Sequence, residues 1–159
     1  MKKRVIALST AALLVCMIPV ASQADLVAYS QDFETLNQLD TAALADDGWL
    51  VFGNVSAPDG TYLYGYGPFT APNDGFGFCQ IDILQGGPTQ GVQQLSVFSD
   101  YNNADHAALN LVESNTYQEW TVGAADVGYI WTMAFDAKMG NLEGGSTALA
   151  FIKTLDPGA

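Results

Sequence analysis

Positive charge almost disappears from this chain after its fourth residue. Lys2, Lys3 and Arg4 open the sequence, and only Lys138 and Lys153 follow, against 17 acidic residues. Such a surface repels nucleic acid and anionic membranes, which sets both aside as partners. Histidine is equally scarce. His106 stands alone, no Ser or Cys sits in a nucleophile motif, and no three-ligand set for catalytic zinc is spaced along the chain. With so many carboxylates, sequence proximity singles out no acid–base pair for hydrolysing a glycoside. Catalysis is therefore the weakest functional class here. Cysteine is nearly missing too, with Cys16 and Cys79 only.

No apolar run reaches the ~20 residues needed to span a bilayer. The run from Val5 to Val20 is instead preceded by the basic start, broken by Pro19 and followed by Ser22-Gln23-Ala24. That layout is a secretory signal peptide over residues 1–24, with small residues where signal peptidase reads. Cys16 is no lipoprotein signal, because Val15 precedes it and the apolar run continues. The expectation is export to the periplasm, cell surface or medium, with cleavage after Ala24 and no membrane span in the mature protein.

Cleavage would leave 135 of the 159 residues, with two positive charges against 17 negative ones, a formal charge of −15. Asp outnumbers Glu 13 to 4, and short carboxylates on Gly- and Asn-rich loops are typical ligands of hard cations. The same charge also serves solubility, and charge alone does not choose between the two. Cys79 would then be the only cysteine, so no intramolecular disulfide forms and stability must come from the core. It shares a strand face with Ile81 and Ile83, which predicts a buried, inert thiol.

What the chain has in quantity is short β-rich runs separated by Gly, Pro, Asn and Asp. The stretch 128–138, GYIWTMAFDAK, alternates most clearly: Tyr129, Trp131, Met133, Phe135 and Ala137 fall on one face, with Thr132, Asp136 and Lys138 on the other. It predicts a long inner strand, with Trp131 in the core. Further strands are predicted over 26–33, 49–55, 61–66, 76–83, 92–98, 108–112, 117–122 and 147–155. Residues 40–45 should form one helical turn capped by Asp40 or Thr41 and stopped at Gly48, and 67–75 a loop. No repeat or linker divides the series, so 25–159 reads as one domain.

Ser30-Gln31-Asp32-Phe33-Glu34, Asp47-Gly48-Trp49, Gln93-Gln94-Leu95-Ser96-Val97 and Trp131 to Lys138 occur in this order. The arrangement resembles the jelly-roll carbohydrate-binding modules of bacterial xylanases and glucanases. The resemblance implies an all-β jelly-roll β-sandwich, galactose-binding-like, and a structural Ca²⁺ with Glu34 among its ligands. It also implies two strands beyond Leu155. The chain stops at Asp156-Pro157-Gly158-Ala159 inside a turn signal, so the expectation is a fragment lacking its last strands.

Two constellations could carry function. Asp100, Asn102 and Asp105 place oxygens at nearby loop positions, as a cation needing six to eight oxygens requires, although Asp and Asn also serve turns. Tyr62, Tyr64 and Tyr66 recur at period two, so one strand face would present three rings to a sugar or, alternatively, to the core. Trp120 is a second stacking candidate, and Trp49 a core residue. The reading is an exported, non-catalytic carbohydrate-binding or cell-surface module, binding a polysaccharide or surface glycan, with Ca²⁺ as a candidate structural ion. The alternative is a structural or adhesive envelope protein that has lost a C-terminal sorting signal, followed by a polysaccharide lyase or hydrolase.

Overall fold

The structure, a computed structural model, describes residues 26–75, 77–83, 91–98, 104–138 and 147–154. The predicted signal peptide, Asp100, Asn102, Phe76 and Leu155 lie outside the described residues. Among the described residues five strands form two antiparallel sheets: β1 (Leu50–Ser56), β2 (Tyr62–Thr70) and β5 (Leu111–Tyr117) in the order β2-β1-β5, and β3 (Cys79–Ile83) paired with β4 (Gln93–Val97). Two helical turns, α1 (Ala43–Asp46) and α2 (Ala104–Ala107), and a 3₁₀ turn at Ala124–Asp126 complete the regular elements of the described residues. The protein is all-β in class. Among the described residues no helix is long and apolar enough to cross a membrane.

β1 holds the central place. Its valines alternate, so Val51 and Val55 are buried while Leu50, Phe52, Asn54 and Ser56 are half-buried on the opposite face. Gly53, between the valines, has no Cβ, and the Tyr66 ring from β2 occupies that space. The inner face meets the second sheet through a shared core of Val51, Ala71, Phe78, Cys79 and Ile81, closed at one end by Ala43 and Leu44 of α1. Phe33, Leu36, Trp49, Tyr66 and Leu95 pack around it. This contact gives the two sheets their sandwich-like relation.

Asn73 fastens the layers. It is 6% exposed, and its amide donates to the Gln38 carbonyl (3.0 Å) and the Asp40 carbonyl (2.8 Å). Its side-chain oxygen accepts the Ile81 N–H at 2.7 Å. One buried side chain thus joins the loop before α1 to β3. Cys79 is fully buried, and desolvation pushes its thiol up to about 11, as an inert core residue requires. The helical turn also forms before Gly48 at φ +88°, but its N-cap is Ala42, without a side-chain cap bond, in place of Asp40 or Thr41. The Asp40 carboxylate accepts the Ala42 N–H (3.0 Å) in the turn ahead of it.

Several predicted strands are corrected. Residues 128–138 form no strand, and Trp131 is 44% and Phe135 58% exposed. Alternation describes a strand's side chains, but a strand exists only where another backbone answers its N–H and C=O groups. The described residues offer 128–138 no ladder partner, and the inner position belongs to β1, paired on both sides. Residues 147–154 likewise lie outside both sheets, and 26–33 is held by side chains rather than by a ladder. In place of strands at 108–112 and 117–122 there is the single strand β5. β2 runs on through Pro68 to Thr70, where a loop was expected; an edge strand tolerates the missing N–H.

Candidate functional site

The pairing of β2 with β1 separates the three tyrosines. Gly53 opposes Tyr66 and Val55 opposes Tyr64, but Ser56 opposes Tyr62, with a register shift between Val55 and Ser56. Opposed residues share a face, so the bulge at Leu63 sends Tyr62 to the outer face, where its hydroxyl lies over Gly65 beside Phe52. Tyr64 and Tyr66 stay on the inner face, with ring centroids 6.2 Å apart. Tyr66 packs on Phe78 (5.8 Å) and belongs to the core. The expected three-ring platform is therefore not assembled. Period two holds only while the ladder is unbroken.

Tyr64 meets a residue predicted for another role. Its hydroxyl donates to the Asp105 carboxylate at the start of α2, and that carboxylate also accepts from Asn110 Nδ2 at 2.9 Å. The Tyr64 bond, then the Asn110 bond, hold Asp105 below the usual carboxylate range, and the same contact raises the Tyr64 hydroxyl. Glu34 is engaged as well. Its Oε1 accepts the N–H groups of Val92 and Gln93, both at 2.6 Å, and so anchors the start of β4. Gln93 returns its amide to the Phe33 and Leu36 carbonyls (2.6 and 3.1 Å). Both bonds fall on Oε1, so the carboxylate implied as a calcium ligand is tied to the backbone at the start of β4 through one of its two oxygens. Among the described residues no group of three His, Cys, Asp or Glu side chains converges on one point.

The most developed exposed constellation surrounds Trp120. Its ring stands 5.8 Å from that of Tyr29, with the planes inclined at 54°, and the two residues are 54% and 42% exposed. Behind them, Asp47 Oδ2 accepts from Tyr29 Oη (2.6 Å), Gln31 Nε2 (3.0 Å) and Trp49 Nε1 (3.1 Å). Gln118 Nε2 donates to Tyr29 Oη and to the Asp47 carbonyl, both at 2.9 Å. Partial burial, then the Asp47 bond, push the Tyr29 hydroxyl up to about 12, so the ring stays neutral. Asp47 also borders a shallow cleft of about 260 Å³, whose walls include Thr35, Asn37, Asp40 and Asp46.

Local chemistry explains the assembly. Gln118 directly follows β5, and Asp47 follows α1 just ahead of Gly48 and Trp49. Tyr29 and Gln31 sit two apart in the segment before α1, and both side chains reach Asp47 Oδ2. The chain matches no known family model, no curated protein and no solved structure. The site must be judged on its own geometry. Of the residues expected from sequence, Trp120 falls in this cluster, Tyr64 and Asp105 form a separate pair, and Glu34 is a structural anchor. The sequence reading misses Tyr29 and uses Gln31 and Asp47 only as family markers. The signal that would have found them is the polar–aromatic repeat Tyr29-x-Gln31.

Proposed function

We propose that this is an exported, non-catalytic carbohydrate-binding module of jelly-roll type, which uses the Tyr29–Trp120 pair as its sugar platform. One observation carries the reading: two exposed rings stand 5.8 Å apart, and one of them, Tyr29, is fixed through its hydroxyl by the Asp47 carboxylate and the Gln118 amide. Rings with apolar faces suit the C–H face of a pyranose, and the surrounding hydroxyl, amide and carboxylate groups suit its hydroxyls. A ring anchored before binding, as Tyr29 is, loses little side-chain entropy when ligand arrives. The −15 charge expected of the mature chain favours neutral polysaccharide over uronate-rich polymers. The order of motifs shared with the modules of xylanases and glucanases points the same way, and the signal peptide would bring the protein to its ligand.

The test is affinity electrophoresis and titration calorimetry on a panel of neutral and acidic polysaccharides. Saturable binding to a neutral glycan is expected. Trp120→Ala should weaken it by about 1–3 kcal/mol, of the order lost when an aromatic contact is truncated at a binding hot spot. The melting temperature should be unchanged, because Trp120 lies outside the core. An absence of binding across the panel would end this reading.

A further inference from the structure

The shallow cleft bordered by Asp47 has walls of two kinds. Thr35, Asn37, Asp40, Asp46 and Asp47 supply the polar ones, and the half-buried Leu36 with the buried Ala43 the apolar ones. The segment that carries them is pinned at close intervals. The Phe33 carbonyl accepts the Leu36 N–H (3.2 Å), the Asn37 carbonyl the Asp40 N–H (3.0 Å) and the Asp40 carbonyl the Ala43 N–H (3.1 Å). The Asn73 amide takes the Gln38 and Asp40 carbonyls, and Ala43 and Leu44 seat α1 in the core. A cleft formed before its ligand arrives needs little ordering on binding. Its polar walls also hold spare acceptors. The three side-chain bonds to the Asp47 carboxylate all fall on Oδ2. The Asp46 carboxylate makes no hydrogen bond among the described residues. The volume of about 260 Å³ lies just below the ~300–1,000 Å³ of pockets that enclose drug-sized ligands, which leaves room for a single sugar ring.

We infer that this cleft is a second subsite, which takes a further unit of an unsubstituted neutral polysaccharide stacked on Tyr29 and Trp120. The inference rests on the sugar platform proposed above. Asp47 belongs to both places, since its Oδ2 accepts from Tyr29 Oη at 2.6 Å and its side chain lines the cleft. Sugar hydroxyls would donate to the carboxylates, in charge-assisted bonds stronger than neutral ones, while ring C–H groups meet Leu36 and Ala43. Methyl or acetyl groups on those hydroxyls remove the donors, and a uronate brings like charge, so both are selected against. Titration calorimetry of the whole protein with cello-, xylo- and manno-oligosaccharides of one to three units tests this. In the series that binds, two units should bind about tenfold or more tightly than one. Thr35→Trp, which fills the cleft, and Asp46→Ala should each remove most of that gain. Both residues are exposed, so an unchanged melting temperature is expected to accompany the loss. Trp120→Ala should instead weaken every length. Equal affinity for one and two units, or a gain that Thr35→Trp leaves intact, would overturn this inference and leave the platform reading standing. So would binding of a whole polysaccharide without binding of any of these oligosaccharides. Binding of neither would overturn both.

Discussion

A single side chain can decide whether two distant stretches stay together, and Asn73 shows how. Its two side-chain polar groups make three hydrogen bonds, to the Gln38 carbonyl, the Asp40 carbonyl and the Ile81 N–H, in a buried setting. Truncation would leave those partners without an answer in an environment from which water is largely excluded. Asn73→Ala should therefore cost about 2–4 kcal/mol, the range for orphaned buried polar groups, measurable as a lower urea midpoint at unchanged slope. From the sequence, Asn73 is a turn residue in Pro72-Asn73-Asp74-Gly75. That reading gives its backbone habit and misses its bolt-like role, because the three partners lie 35, 33 and 8 residues away. Asp47 is similar. Its place between a helical turn and Gly48 is plain in the sequence, and the convergence of Tyr29, Gln31 and Trp49 on one of its oxygens is not.

At the level of elements, the runs 49–55, 76–83 and 92–98 were legible because each is short, β-branched or alternating, and bounded by turn residues. β1, β3 and β4 occur there within a few residues. Alternation failed where a bulge displaced it, at Tyr62, and where no ladder was on offer, at 128–138. β4 has a further dependence on the segment around Phe33. The Glu34 carboxylate takes two backbone donors at its first turn, and Gln93 answers with two bonds of its own. Glu34→Ala should loosen that end locally. The expected result is faster hydrogen exchange at Val92 and Gln93, a loss of about 1–2 kcal/mol in stability, and little change in β1 or β5. Uniform loss of protection across both sheets would show that the contact supports the whole fold.

For the molecule as a whole, charge is the dominant fact, since a chain with 17 acids and five cations folds against its own repulsion. If calcium stabilises it, as the resemblance implies, the ion must bind the folded chain more tightly than the unfolded one. Millimolar calcium should then raise the melting temperature above that in chelator by more than sodium chloride of equal ionic strength does. Equal shifts would reduce the effect to screening and remove the calcium proposal. Composition and pattern by themselves determined the β class, the buried thiol at Cys79, the helical turn before Gly48 and the acidic surface. These follow from local preferences and from counting, neither of which needs a partner. Only the tertiary structure decided which strand is central, which tyrosines share a face and which residues gather around Trp120. Each of those depends on a backbone or side chain far along the chain, and pairwise complementarity across such separations leaves no periodic mark in the sequence.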